Sequence, residues 1–372
     1  MTNSPSLIYC IKIQGSGDPF SFLEGLVEKL DLPLSNLSSG DIILIKPNFV
    51  APFEKSTTDL RFIEFFIFKI REIGAIPVIG ESSGFEFDTE ATFEILGAKR
   101  FAEEKKVSLI NLEKEAYTEI HLANIGSVQI SNLALKAKWI INLPVLKRHR
   151  IAGMTGAVKN LFGFLSKESR RHLHSHRLEE GIETLGNYFK NTLHILDGRY
   201  LLSSAVFGQS QPLGYCLSGF DPFAIDHMGA KILGLNPKSI KYLKRVNDYR
   251  VEGSIPSNFP SPERTSVAYS IYKRLYAILY WLDEIKCSFC GGKSILPLLH
   301  WYLGLHPKIG KINKEELKRL SSICPVGAID PIQGRIIKER CIHVRCLKCY
   351  HSSEKGMIRL RGMASLREKK DG

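Results

Sequence analysis

The sequence has no run of 18 apolar residues, no Walker phosphate loop and no G-x-G-x-x-G fingerprint. The first absence argues against a membrane-spanning helix, and the other two leave a nucleotide unspecified as ligand. No internal repeat or low-complexity tract occurs, so neither a solenoid nor a disordered chain is expected. No basic segment followed by an apolar stretch is present near residue 1, so no secretory leader is read, and a cytoplasmic, reducing location is expected. Acidic residues are the scarcer sign: 38 Asp and Glu stand against 51 Lys and Arg, a formal net charge of +13. That balance favours phosphorylated or carboxylated ligands, nucleic acid or an anionic membrane surface as partners.

Cysteine is nearly absent from the first 286 residues, where only Cys10 and Cys216 stand, each in an apolar setting that reads as core packing. The other six, Cys287, Cys290, Cys324, Cys341, Cys346 and Cys349, all fall in the last 86 residues. In a reducing compartment such segregation points to a metal-binding module rather than to disulfides.

What is present is ordinary for a globular chain of 372 residues, 44% hydrophobic and 24% charged, with two domains as the expectation. Short, almost wholly apolar runs (SLIYCIKIQ, DIILIKPNFV, AIPVIGESSG, KVSLINL, KAKWIINLPVLK, TLHILDG) alternate with amphipathic stretches such as DLRFIEFFIFKIREIG. This pattern predicts an α/β fold: an open, mostly parallel sheet with helices on both faces over residues 1–246. Residues 247–266, rich in Pro, Ser and charge, read as a linker or long loop. Residues 267–372 read as a helical, Cys-rich, ferredoxin-like module, with tyrosines of 267–287 marking a packed helix face.

In open sheets of this kind ligands bind where strands pass into the following helices. LPVLKRHRIAGMTGAVKNLFGFL, residues 143–165, runs an apolar strand into Lys147 and His149, then a Gly-Met-Thr-Gly turn, then a helix. Gly153 and Gly156 allow close backbone approach, Thr155 can cap the helix, and the free N–H groups there attract an anion. Lys147 and Lys159 add charge, within a span from 136 to 177 that holds ten Lys or Arg and only Glu168 as acid. Lys46 and Asn48 in IKPNFV, and Glu81 and Ser83 in GESSG, stand at two further strand ends and complete one candidate crevice. A solvated basic face with an ordinary glycine turn is the plainer alternative. His172, His174 and His176 would share a face only on a strand, and the basic residues around them disfavour a cation.

Read together, IKPNFV, GESSG, LPVLKRHRIAGMTGAVKNLFG, the ILDG strand end and SGFDPFAIDHMGAKILGLNP resemble the domain-of-unknown-function 362 family over roughly residues 8–245. The resemblance implies a shared α/β domain, commonly joined to a ferredoxin-like module, and no settled reaction.

CPVGAID, residues 324–330, has the form of a ferredoxin motif's end, although its usual upstream partners are displaced. After Cys287 and Cys290, Lys293 and Pro297 occupy the third and fourth cysteine positions. Cys341, Cys346 and Cys349 with a returning Cys324 make one complete set for a single 4Fe–4S cluster. The rivals are a four-thiolate zinc site from Cys287, Cys290, Cys346 and Cys349, or a cluster that draws on Cys287, Cys290 and Cys324. Arg340, Arg345 and Lys348 would offset a cluster's negative charge.

The leading functional expectation is an iron–sulfur redox protein that passes electrons to an anionic small molecule or a redox partner protein. Whether it is an enzyme stays open; His149 is the candidate general acid. The alternative is a non-redox accessory protein that binds a ligand, nucleic acid or membrane and carries a structural zinc. Nucleic acid is disfavoured, because the basic run lacks aromatic interleaving. Peripheral membrane contact stays open.

Overall fold

The structure, a computed structural model, describes residues 5–13, 19–30, 37–85, 87–149, 152–202, 210–246, 248–256, 278–279, 281–283, 285, 301, 306–342, 344, 346–354 and 356–361. The chain divides into two compact units. The first comprises Met1–Phe49, Phe53–Ser82 and Lys99–Trp281, and the second Val50–Pro52, Ser83–Ala98 and Leu282–Gly372. The second unit therefore takes two short segments from within the α/β region as well as the C-terminal residues.

Along the chain come β1 (Ser6–Lys12), α1 (Pro19–Val27), β2 (Ile42–Lys46), α2 (Leu60–Glu72), β3 (Ile76–Glu81) and, in the second unit, α3 (Thr89–Ile95). There follow α4 (Ala98–Lys105), β4 (Ser108–Asn111), the hairpin β5 (Tyr117–Leu122) and β6 (Gly126–Ser131), α5 (Asn132–Lys136) and β7 (Trp139–Asn142). A small hairpin of β8 (Lys147–His149) and β9 (Gly153–Thr155) leads into α6 (Ala157–Asn160), α7 (Lys167–His176) and α8 (Leu178–Tyr188). The first unit closes with β10 (Thr192–Leu202), β11 (Ser210–Gly219), α9 (Pro222–Ile232) and β12 (Tyr249–Gly253).

Eight of these strands form one sheet in the order β12-β1-β11-β10-β7-β2-β3-β4. Only β11 runs against the rest, pairing antiparallel with both β1 and β10. The mostly parallel sheet expected from the apolar strands is thus observed. Successive residues Ile43, Leu44 and Ile45 are all buried, so β2 is covered on both faces. The chain moves outward from β2 to β3 and β4 on one side, and returns through β7 to β10 on the other. The boundary between β2 and β7 is the switch point of the topology.

Local chemistry sets the element ends. Asp59 caps α2 by accepting from the Arg61 N–H at 3.0 Å, and Gly74, at φ +74°, ends it. Phe62, Ile63, Phe65, Phe66, Ile67 and Ile70 form its buried stripe. Residues 249–253, expected within a linker, instead form the edge strand β12, parallel to β1. Their polar and half-exposed pattern suits an edge, which is why the run did not read as a strand.

In the second unit, β13 (His306–Ile309) pairs antiparallel with the last described strand, Ile358–Arg361. Between them lie α10 (Lys314–Ile323), the hairpin β14 (Ile329–Asp330) and β15 (Arg335–Ile336), α11 (Lys338–Cys341) and α12 (Lys348–His351), which makes Ile358–Arg361 β16. Leu317, Leu320, Ile329, Cys349 and Ile358 form its core. Cys287, Cys290, Lys293, Pro297 and Arg345 lie outside the described residues, as does most of the tyrosine-bearing segment 267–287. Among the described residues no helix is long and apolar enough to cross a membrane.

Ile45, fully buried at the centre of β2, tests this sheet core. Ile45→Ala is expected to lower unfolding stability by roughly 2–5 kcal/mol, read as a lower urea midpoint at unchanged slope.

Candidate functional site

Polar residues of the first unit gather at the carboxyl ends of β2, β3 and β7 and at the neighbouring first residues of β10. Lys46 ends β2, Glu81 ends β3 and Asn142 ends β7; His194 lies beside Asn142 in the register of β10. All four are buried. Burial on this scale demands partners, because an unpaired polar group in a dry interior costs about 1–3 kcal/mol.

Lys46 is ion-paired with Glu81 and also donates to the Pro47 carbonyl at 2.9 Å. The other Glu81 oxygen accepts from the Phe49 N–H at 3.1 Å. A Cβ on Gly163 would stand 2.8 Å from Lys46 Nζ and 3.3 Å from Glu81 Oε2, so glycine is what lets that backbone pass over the pair. Burial first, and the Arg170 charge second, draw the Lys46 ammonium well below its usual pKa. Glu81 is the carboxylate that opposes them.

Among the described residues Lys147 bonds no carboxylate. It donates to Asn48 Oδ1 at 2.8 Å and to the Ser56 carbonyl at 2.7 Å. From Asn48 the bonding runs on in one direction. Asn48 Nδ2 donates to Asn160 Oδ1 at 2.8 Å, and Asn160 Nδ2 to Asn142 Oδ1 at 2.8 Å. Asn142 Nδ2 then reaches the Ala157 carbonyl and His194 Nδ1, each at 2.9 Å. His194 Nδ1 is therefore an acceptor and the ring proton sits on Nε2, which has no partner among the described residues. Burial holds the His194 pKa down to about 3, so the ring is neutral.

Burial lowers Lys147 to about 7, with repulsion from Lys159 as the second cause. Burial and then Arg170 lower Lys159 to about 8. Lys159 stands over the Phe162 ring at 5.9 Å, and among the described residues its ammonium meets no acceptor. Arg170, by contrast, is neutralised by Glu113 at 2.8 Å. Two ammonium groups near their titration points, coupled to each other and without a carboxylate partner among the described residues, have the chemistry to hold an anion or exchange protons with one.

The helix start at α6 differs from its sequence reading. Residues 153–155 are strand β9, not a turn, because Met154 is drawn fully into the core. Gly156, not Thr155, is the N-cap residue of α6, and it carries no side-chain cap. The anion at that helix start is the chain's own Asp226, which accepts from the Ala157 N–H at 2.5 Å and the Val158 N–H at 3.2 Å. A Cβ on Gly156 would meet Asp226 Oδ1 at 2.1 Å, so glycine there serves this internal contact. Burial raises Asp226 to about 7 against those two hydrogen bonds. Gly153, at φ +81°, shapes the start of β9.

His149 lies on the Lys147 side of β8 by alternation, and its Nδ1 accepts from the Ala152 N–H at 3.0 Å. Ser83 belongs to the second unit, where its N–H donates to Thr89 Oγ1 at 3.0 Å and Asp88 caps α3. His172, His174 and His176 lie on helix α7: His172 and His176 stack, while His174 packs on Phe162 and bonds Arg170 O. Asn142, Asn160 and His194 were not among the sequence candidates. Their one signal was a polar side chain inside or beside a run of apolar strand residues.

In the second unit Cys324, Cys341, Cys346 and Cys349 all line one small, partly open cavity of about 20 Å³. Most of its other walls are apolar, from Pro307, Val326, Ala328, Ile329 and Ile336. CPVGAID forms a tight turn: the Gly327 N–H bonds the Cys324 carbonyl at 3.1 Å and the Ala328 N–H donates to Cys324 Sγ at 3.2 Å. Burial raises the Cys346 and Cys349 thiols, the latter to about 12, and neighbouring sulfurs add to the effect. Among the described residues no three His, Cys, Asp or Glu side chains converge as a ready single-ion cage. Cys10 and Cys216 are buried in β1 and β11, as expected of packing residues.

Residues 43–231 match the family described as Domain of unknown function (DUF362). The chain is similar to the thylakoid-associated protein sll1697 of Synechocystis sp., at 25% identity over 236 residues, 60% of this chain and 73% of that protein. Among solved structures it resembles the lactate racemase apoprotein of Thermoanaerobacterium thermosaccharolyticum, with TM-score 0.43 and 13% identity over 61% of this chain and 57% of that one. A Thermotoga maritima protein matches with TM-score 0.36 and 14% identity, over 57% of this chain and 58% of that one. The chain thus spans less than two thirds of either solved chain.

The Asn160 side chain joins Asn48, Asn142 and the carbonyls of Lys46 and Pro47, so its loss should be costly. Asn160→Ala is expected to destabilise the protein by roughly 3 kcal/mol, from unpaired Asn48 and Asn142 groups. Chemical denaturation would register it, and a cost under about 1 kcal/mol would mean the amide chain is not closed.

Proposed function

The chain belongs to the DUF362 family, and from that premise we propose that it is an iron–sulfur redox protein whose α/β unit binds a phosphate- or carboxylate-bearing molecule. The observation that carries this reading is the cavity shared by Cys324, Cys341, Cys346 and Cys349, four residues spread over 26 positions. Four soft sulfur donors in an apolar shell suit iron–sulfur chemistry. A cluster held there would supply one-electron transfer. Lys348 on the cavity wall, and Arg340, which bonds the Gly327 carbonyl at 2.9 Å, would offset its charge.

In the α/β unit Lys147 and Lys159 would hold the anion, because Lys46 and Arg170 already have carboxylates. His149, on the same side of β8 as Lys147, is the residue to donate a proton to a bound molecule. A second reading, peripheral attachment to an anionic membrane, draws support from the thylakoid-associated relative and the basic balance.

Protein purified without oxygen is expected to carry about four irons and four sulfides, with a broad band near ~400 nm that dithionite bleaches. Cys324→Ser or Cys349→Ser should abolish most of that band, and Cys287→Ser should leave it. One zinc and no colour would sink the redox reading.

Anion binding carries its own expectation. Lys147 and Lys159 lose their protons as pH rises through about 7 and about 8, so inorganic phosphate should bind more weakly at pH 9 than at pH 7. Binding near neutrality should take up protons, seen by calorimetry in buffers of different ionisation enthalpy. Lys159→Met should weaken it about 10–100-fold, and an unchanged affinity would remove Lys159 from the site.

A further inference from the structure

The ribbon of β13 and β16 has two unlike faces. In register, His306 stands opposite Arg361 and Lys308 opposite Arg359, while Pro307 faces Leu360 and Ile309 faces Ile358. Side chains alternate across a strand, so one face is apolar and the other basic throughout. Ile309 and Ile358 enter the hydrophobic core of the unit, and Pro307 lines the four-cysteine cavity. The basic face therefore lies on the outside of the same strand whose inner face closes the cavity.

The arrangement is electrostatically costly on its own. Like charges directly opposite each other on neighbouring strands repel, and Lys308, Arg359 and Arg361 are all exposed. Among the described residues none of the three has a carboxylate partner. His306, half-buried, is held by stacking on Trp301 with ring centroids 4.6 Å apart. The surrounding segment is of one sign as well: residues 306–361 hold thirteen Lys or Arg against five Asp or Glu. A partner bearing carboxylates would relieve the repulsion at each pair.

We propose that the basic face of the β13–β16 ribbon, His306, Lys308, Arg359 and Arg361, is the docking surface for a small acidic electron-carrier protein. This rests on the iron–sulfur reading of the four cysteines. The carrier would dock on the outer face of β13, whose inner face reaches the cavity through Pro307, and would give up one electron to a cluster held by the four thiolates, one-electron transfer being the chemistry such a cluster would supply. A carrier protein fits better than a lipid surface, because the described side chains of this face are all polar and the ribbon's own apolar side chains lie on its other face. Charges placed around an electron entry point raise encounter rates and make them salt-dependent.

The test uses the full chain purified without oxygen, mixed with a reduced, acidic, plant-type ferredoxin, following the reduction of the cluster by its loss of visible absorbance. The wild-type rate should fall steeply with added salt. The double substitution Lys308→Glu with Arg359→Glu should slow the reaction at low salt by about tenfold or more and flatten its salt dependence. Lys308→Glu alone places opposite charges across the ribbon, so it should slow the reaction while leaving or raising the melting temperature. That combination separates lost docking from lost folding. Rates unchanged in both variants, in a protein that contains its iron and sulfide, would overturn the docking surface and leave the redox reading standing. A protein without iron and sulfide would overturn the redox reading first, and this one with it. Loss of binding to phosphatidylserine vesicles in the variants, with the ferredoxin rate unaltered, would reassign the face to lipid and overturn the proposal.

Discussion

A lysine buried at the end of a parallel sheet without a carboxylate to bond constrains the α/β unit more than any other single group. Lys147 can only donate, so Asn48 must turn its oxygen toward it and its amide hydrogens away. That choice passes to Asn160, to Asn142 and finally to His194, whose Nδ1 is left as an acceptor. No member can flip without leaving two donors or two acceptors face to face in a dry interior. The chain of amides joins four separate stretches of backbone: the exit of β2, the end of α6, the end of β7 and the first residues of β10. Thr58 adds to it, accepting from the Asn48 N–H at 2.7 Å and donating to the Leu143 carbonyl at 2.6 Å. The loops that would otherwise be the most mobile part of an open sheet are thereby tied to one another.

Around this fixed frame the protein treats its buried charges in two ways. Lys46 and Arg170 are matched by Glu81 and Glu113, and Asp226 is matched by the N–H groups of α6. These groups are structurally committed, and removing one partner would strand a buried charge. Lys147 and Lys159 are matched only by neutral oxygens or an aromatic face. Burial, with repulsion of Lys147 by Lys159 and of Lys159 by Arg170, brings their titration down to about 7 and about 8, so the desolvation cost would be met more fully by a bound anion. Because Asp226 occupies the helix start, the free N–H groups there cannot serve such an anion, and recognition falls to the side chains.

How much of this could be read from the amino acids depends on whether the signal was local. Apolar runs such as IILIK and IPVIG report strands covered on both faces, and the mostly parallel sheet followed from them. Lys46, Glu81 and Lys147 were visible because each is a charge at the end of such a run. Asn142, Asn160 and His194 were not, because a single neutral polar residue at or beside an apolar strand looks like an ordinary substitution until its partners are known. The Gly-Met-Thr-Gly stretch misled for a related reason: two glycines suggest a turn, and only the burial of Met154 in the tertiary structure makes it a strand. Tyr249–Gly253 was lost among prolines and charges because an edge strand lacks the two-sided apolar pattern. The four cysteines that share a cavity were grouped by ferredoxin logic rather than by periodicity, since Cys324 lies on the far side of a hairpin from the other three.

The positive balance of the chain also divides by physical role. Charges on the β13–β16 ribbon are in water, where salt screens them over roughly 10 Å, so toward the proposed carrier they would act on the rate and orientation of encounter more than on affinity. Charges at the end of the sheet are out of water, where screening is weak and each lost or gained proton alters both binding and folding. In the ligand-free protein the unfolded chain binds more protons than the folded one wherever Lys147 and Lys159 are below their ordinary lysine values. Stability from these two groups therefore rises with pH from about 7 upward, toward the range where a free lysine also loses its proton. An anion bound beside them, as proposed, would flatten that slope, because it would raise both lysines back toward their ordinary values. The pair that weakens the empty fold near neutrality is the pair whose protonation such an anion would favour, a coupling that exposed lysines on the ribbon cannot supply.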